Sequence, residues 1–153
     1  MIAQQQCRGG QQLIAQSGVI PYRIRRGQIE IALITASSGP HWTIPKGHIE
    51  PNMSPGESAA KEAFEESGLI GQIGNRRLGS YIYEKRGALR QVDLYALAVT
   101  KELKHWPEMN ERKRLWMSIG EAASRVRSAE LRCCIQGFAR MAPRTIRITR
   151  KAA

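Results

Sequence analysis

Hydrophobic and polar positions along this chain follow two periods, and the switches between them mark its elements. In Gln28 to Thr35 (QIEIALIT) the alternation is clear, with Ile29, Ile31 and Leu33 on one side, and Gly18 to Arg25 (GVIPYRIR) reads as its partner. Arg26-Gly27 between them predicts a hairpin turn. Gly39-Pro40 then breaks the chain before a short strand, His41 to Ile44, which leads into Pro45-Lys46-Gly47. After a helical stretch come a turn and short strand start at Gly71 to Arg77, a strand from Arg77 to Glu84, and a basic turn at Lys85-Arg86-Gly87. Gln91 to Thr100 is apolar at nearly every position after Asp93, as a strand covered on both faces would be. His105 to Arg112 is a polar loop and Lys113 to Met117 a short strand. Ser118 opens a helix running to about Val126, and Ser128 caps another that carries Leu131, Ile135, Phe138 and Met141 at helical spacing.

The helical stretch in the middle is bounded by local signals. Ser54 followed by Glu57 is a capping box, Pro55 falls at the first helical position, and Gly68 supplies a left-handed stop. Within it Glu62, Glu65 and Glu66 stand at i, i+3 and i+4, so at about 100° per residue they crowd onto one patch. Ala60, Ala63, Phe64 and Ser67 turn mostly the other way and offer a small apolar surface to a sheet. Like charges at this spacing repel, so the fold gains nothing from them unless a cation sits among them. Carboxylate oxygens are hard ligands, which points to Mg2+ or Mn2+.

The run GHIEPNMSPGESAAKEAFEESGL, Gly47 to Leu69, resembles the Nudix box, G-x5-E-x7-R-E-U-x-E-E-x-G-U, with U a bulky aliphatic residue. Gly47, Glu62, Glu65, Glu66, Gly68 and Leu69 fall on it without a gap, whereas Met53, Lys61 and Ala63 depart from it. A pattern with this many fixed spacings is far more specific than a lone glycine-rich loop. In the family the first glutamate and the arginine brace the loop against the helix. Both partners have changed here, and Glu57, four residues before Lys61, offers a replacement. The resemblance implies an α/β sandwich with a mixed sheet, and hydrolysis of a diphosphate linkage in a nucleoside or inositol polyphosphate. It assigns the metal to the Gly47 carbonyl, Glu62 and Glu66, and the base to Glu65. Lys46, His48, Arg25, Lys85 and Arg86 are the expected substrate contacts, and Glu108 and Glu111 the candidates for an extra acidic ligand. Trp42-x-x-Pro45-Lys46-Gly47 followed by His48-Ile49-Glu50-Pro51 looks most like the branch acting on diphosphoinositol and diadenosine polyphosphates. RNA 5′ ends are a less favoured substrate, and a Nudix-like module that binds nucleotide or RNA without turnover is the alternative reading.

Composition sets the outer limits. One domain of 153 residues, 42% hydrophobic and 24% charged, describes an ordinary globular chain, with 1–17 as a flexible lead-in, 18–141 as the domain and 142–153 as a basic tail. No apolar run is long enough for a membrane span and no secretory signal stands at the N-terminus, so the expected location is cytoplasmic, as monomer or homodimer. A net charge of +11 attracts anions such as polyphosphates, yet four of the 13 acidic residues lie between Glu57 and Glu66. Cys7, Cys133 and Cys134 show neither metal-ligand spacing nor a disulfide framework. Trp42, Tyr81, Tyr83 and Tyr95 are read as core rather than as base-stacking platforms.

Overall fold

The computed structural model describes residues 6–8 and 11–151, with side chains over 12–141. Its elements in order are β1 (Gln6–Arg8), β2 (Gln11–Arg25), β3 (Gln28–Thr35), β4 (Trp42–Thr43), β5 (Lys46–His48), α1 (Pro55–Ser67), β6 (Leu69–Ile73), β7 (Gly79–Lys85), β8 (Ala88–Glu102), β9 (Arg114–Ser118), α2 (Ile119–Arg125) and α3 (Ala129–Lys151). Strands and helices thus occur in the order the sequence predicts. Their turns follow from local chemistry: Arg26-Gly27 and Arg86-Gly87 all have positive φ, which matches the right-handed twist of the strands they join.

The sheet is mixed. β2 lies between β3, to which it pairs antiparallel, and β8, to which it runs parallel from Leu13↔Leu89 to Tyr22↔Ala98. β8 then holds β7 against its first half and β6 against its second, both antiparallel, while β9 pairs with β3. One large core lies under α2 and α3, where Ile20, Ile31, Leu33, Val92 and Leu94 meet Ala122, Leu131, Ile135 and Phe138. A smaller one lies under α1, where Ala59 and Ala63 pack on Val19, Ala32, Leu69 and Leu97. This is the α/β sandwich with a mixed sheet that the sequence implied.

Three expectations need correcting. β2 starts at Gln11 and pairs antiparallel with β1, and Leu13, Gln16 and Ser17 are buried, so the supposed lead-in is strand at Gln6–Arg8 and again from residue 11 onward. Glutamines hid this half of the strand, which is held by parallel pairing to β8 rather than by an alternating pattern. Residues 1–5, 9 and 10 of that lead-in lie outside the described residues. At the other end, α3 continues to Lys151, so the basic tail is helix in its backbone for most of its length. In α1 the buried face is Ala59, Ala63, Ser67 and Ser58, whereas Phe64 is exposed. Among the described residues no helix is long and apolar enough to cross a membrane.

Candidate active site

α1 begins as its sequence demands. The Ser54 side chain accepts from the Glu57 N–H, the Glu57 carboxylate accepts from the Ser54 N–H, and Pro55 sits in the first turn. It ends at Gly68, whose φ of 67° suits glycine and whose missing Cβ leaves room for Trp106. Trp106 Nε1 donates to the Glu66 carbonyl at 3.1 Å, and Arg114 donates to the Ser67 carbonyl, so the last turn has both a partner for its free carbonyls and a cation at its negative end. These contacts fold residues 103–113 back against the helix and bring Glu108 and Arg112 beside Glu66.

The helix also carries its acids to β5. β5 pairs antiparallel with β2, Gly47 opposite Ser17, and presents the Gly47 backbone to Glu62. A Cβ on Gly47 would lie 2.3 Å from the Glu62 carboxyl carbon, so the carboxylate occupies the space that only glycine leaves. The Lys46 N–H donates to Glu66 Oε2 at 3.3 Å. Glu62 and Glu66 therefore both press on one strand end, and both open into a cavity of about 590 Å³.

Burial dominates the electrostatics of this cavity. It pushes the Glu62 carboxyl up to about 7, helped by the charges of Glu65 and Glu108. It pushes Glu66 up to about 8 against the opposing pull of Arg112 and Lys46. Burial likewise lowers Lys46 to about 8, with Glu66 acting in the other direction and Arg112 and Lys85 adding to the fall. Arg112 is the hub: Nη2 lies 3.3 Å from Glu66, Nε 3.1 Å from Glu108, and Nη1 donates to the Thr35 carbonyl at 3.1 Å. Lys46 Nζ reaches Thr43 Oγ1 and lies 5.0 Å from the Tyr83 ring centroid, while the Tyr83 hydroxyl donates to Gln16 at 2.7 Å.

Of the expected site residues, Gly47, Glu62, Glu66, Lys46, His48 and Lys85 line the cavity. Glu65, Arg25 and Arg86 do not. Glu65 lies 100° around the helix from Glu66, and its carboxylate turns to Lys61 at 3.6 Å. Arg25 and Arg86 are exposed residues of the two hairpin ends. Among the described residues no three acidic, histidine or cysteine side chains converge into a ready metal cage, so the crowding of three acids on one patch is corrected to two acids in the cavity with the third on its flank. Glu108 sits beside the pair, as one of the two candidates for an extra ligand, whereas Glu111 is exposed.

The brace is also different from the expected one. Lys61 Nζ bonds Glu50 at 2.5 Å, not Glu57, whose carboxylate is taken by the helix cap. Glu50 lies on the cavity wall, and its N–H donates to Ser58 at 2.9 Å, so it ties the loop to the helix twice. Met53, at the position where the resemblance places the bracing glutamate, is exposed. Sequence reasoning missed Glu50 and Arg112. A basic residue in a polar loop carries no local mark of where the loop folds back.

Two buried-to-half-buried carboxyls with raised pKa, set against the Gly47 backbone, form a hard oxygen donor set that fits a divalent cation: such an ion would favour the charged forms that burial disfavours. Comparisons with known proteins agree with the geometry. The NUDIX domain model matches residues 16–134. "Nudix hydrolase 18, mitochondrial" of Arabidopsis thaliana is 32% identical over 114 residues, covering 69% of this chain and 64% of that protein, so the chain spans less than two thirds of that relative. "Diphosphoinositol polyphosphate phosphohydrolase 2" of Rattus norvegicus is 36% identical over 96 residues, 61% of this chain and 52% of that one. Among solved structures, a C. elegans Ap4A hydrolase binary complex superposes with a TM-score of 0.69 at 25% identity, covering 84% of this chain and 96% of that chain.

Proposed function

We propose, from the premise that this chain belongs to the Nudix family, that it hydrolyses a diphosphate linkage in a nucleoside or inositol polyphosphate with the aid of Mg2+ or Mn2+. The observation that carries this reading is the division of one cavity into an acidic end, Glu62 and Glu66, and a cationic wall, Lys46, Arg112 and Lys85. A polyphosphate chain needs both: cations for its own charge, and carboxylates to hold the ions that bridge it to the protein.

Glu62, Glu66 and the Gly47 carbonyl are the groups that would hold the metal. When bound, such an ion lowers the cost of charge building on the reacting phosphorus and its oxygens. The protein's own groups supply the rest. Lys46, fixed by Thr43 and Tyr83, points its ammonium at the phosphate oxygens beside Glu66. Arg112 keeps Glu66 in place and adds a second cation to the leaving phosphate's side of the cavity. Water attacks phosphorus in line with the bridging oxygen, the P–O bond to that oxygen breaks, and the departing phosphate carries its electron pair. We assign the orientation or deprotonation of that water to Glu65, which flanks the pair closely enough for its charge to act on Glu62.

Phosphate release from a panel of nucleoside and inositol polyphosphates, with and without Mg2+, tests the reading. Metal-dependent turnover that Glu62→Gln and Glu66→Gln abolish supports it, and Glu65→Gln should lose kcat while metal binding persists. A wild-type chain that turns over no member of the panel would overturn it.

A further inference from the structure

The far end of the large core is not filled. On the face of β8 that packs under α3, Val92 and Leu94 are large and fully buried, but the next two positions are Ala96 and Ala98. Two alanines in succession leave the space beneath the second half of α3 short of side chains. A groove of about 260 Å³ opens there, floored by the alanines and walled by Ile73, Leu78, Phe138 and Met141. It shares no lining residue with the catalytic cavity. Leu131 lines that cavity, and Phe138 and Met141 lie farther along α3, about 10–15 Å away.

One buried polar group and one exposed cation meet at this groove. Tyr22 lines it, is only 8% exposed, and packs its ring on Phe138 with centroids 5.0 Å apart. Burial raises the pKa of its hydroxyl, and no hydrogen bond from a described residue offsets that burial. A buried phenol ordinarily finds a partner, and the groove is the side open to one. The mouth is held by the chain between β6 and β7. The Gly74 N–H donates to the Ala96 carbonyl and the Leu78 N–H to the Leu94 carbonyl, both at 2.8 Å, so both feet of this short arch are fixed to β8. Within it Arg77 is paired with Asp93 at 3.4 Å. Arg76 lines the groove, is exposed, and has no ion pair among the described residues. None of the described residues lining the groove carries a carboxylate.

We propose that this groove is a second ligand site that takes a small aromatic carboxylate, its rings over Ala96 and Ala98 and its carboxylate between the Tyr22 hydroxyl and Arg76. A cavity of about 150 Å³ holds one benzene ring, so this groove suits a two-ring body. A bare phosphate would leave the apolar floor wet, and a hydrocarbon would leave the Tyr22 hydroxyl without an acceptor. The site is separate from the diphosphate reaction and does not depend on it.

Titration calorimetry of the full chain with 1-naphthaleneacetate tests this, and one molecule should bind per chain. Tyr22→Phe keeps the packing on Phe138, removes only the hydroxyl, and should weaken binding about five- to ten-fold. Arg76→Gln should weaken it about three-fold, the scale of an exposed ion pair. Ala98→Leu fills the floor and should abolish binding; should that variant fail to fold, the other two decide. Lys46→Met, which removes a cation of the catalytic cavity, should leave binding unchanged. No binding by wild type would overturn the proposal. So would wild-type affinity in both Tyr22→Phe and Arg76→Gln, or a loss confined to Lys46→Met, which would place the ligand in the catalytic cavity. The hydrolase reading stands or falls separately, on phosphate release.

Discussion

Gly47→Ala separates the stability of this protein from its function, because the structure sets opposite magnitudes for the two. The φ of Gly47 is not positive, so an L residue fits the backbone, and the three atoms nearest the added Cβ all belong to Glu62, its carboxyl carbon at 2.3 Å and its oxygens at 2.4 and 2.7 Å. Ordinary contact requires the carboxylate to retreat by about 1 Å, and it sits at the end of a flexible side chain that can do so. Overpacking of this kind costs about 1 kcal/mol, at the low end of its range, and the loss of glycine's unfolded-state freedom returns about 0.4–1 kcal/mol. Net stability should then change by less than about 1 kcal/mol, a shift of about 2–4 °C at most in Tm. Function has no such compensation. If Glu62 holds the metal as proposed, a displacement of its carboxylate by about 1 Å should lower turnover about 100-fold and weaken Mg2+ binding with it. Thermal melts, Mn2+ or Mg2+ titration and phosphate release measure the three quantities. Unaltered turnover would show that Glu62 does not act from this position, and a collapse of stability would show that Gly47 is needed by the fold instead.

Further outcomes follow from the same contacts. In metal-free protein the raised Glu66 carboxyl, about 8 against an ordinary 4.5, means the folded state holds its proton longer than the unfolded chain, so stability should fall as pH rises through that window. Glu66→Gln should flatten the fall, read as urea midpoints at pH 5 and pH 8 in chelator, and an unchanged slope would refute the assignment. Arg112→Met leaves Glu66 and the Thr35 carbonyl short of a partner and should destabilise by up to about 3–5 kcal/mol, less where Glu66 takes up a proton; an unchanged urea midpoint contradicts the hub. Thermal melts of double mutants should show coupling between Lys61→Met and Glu50→Gln but none between Lys61→Met and Glu57→Gln.

What the sequence disclosed was local. Ser54 and Glu57 cap α1, and Arg26-Gly27 and Arg86-Gly87 turn the hairpins, because each signal acts within four residues of itself. What stayed hidden depends on chain brought back from elsewhere. The first half of β2 is held by β8, more than 70 residues on, so QQLIAQS carries no pattern of its own. Arg112 reaches Glu66 only because Trp106 and Arg114 bind the end of α1. Lys61 chose Glu50 over Glu57 for a reason visible only once the cap had claimed Glu57.

The acids themselves invert the usual logic of a core. Glu62 and Glu66 lie on the same helix as Ala59 and Ala63, close to the sheet, where burial makes their charged forms unfavourable. Folding alone would favour uncharged side chains at both positions, since replacing a buried charge by a neutral group of similar shape is often neutral or stabilising. Instead the chain adds Arg112 and the Lys46 backbone N–H to hold Glu66, and rebuilds through Glu50 the tie between loop and helix. A chain that had given up chemistry would gain by losing the acids. One that keeps them, and keeps a strand end without a Cβ to receive Glu62, fits the proposed role of holding a cation and the anion that would come with it.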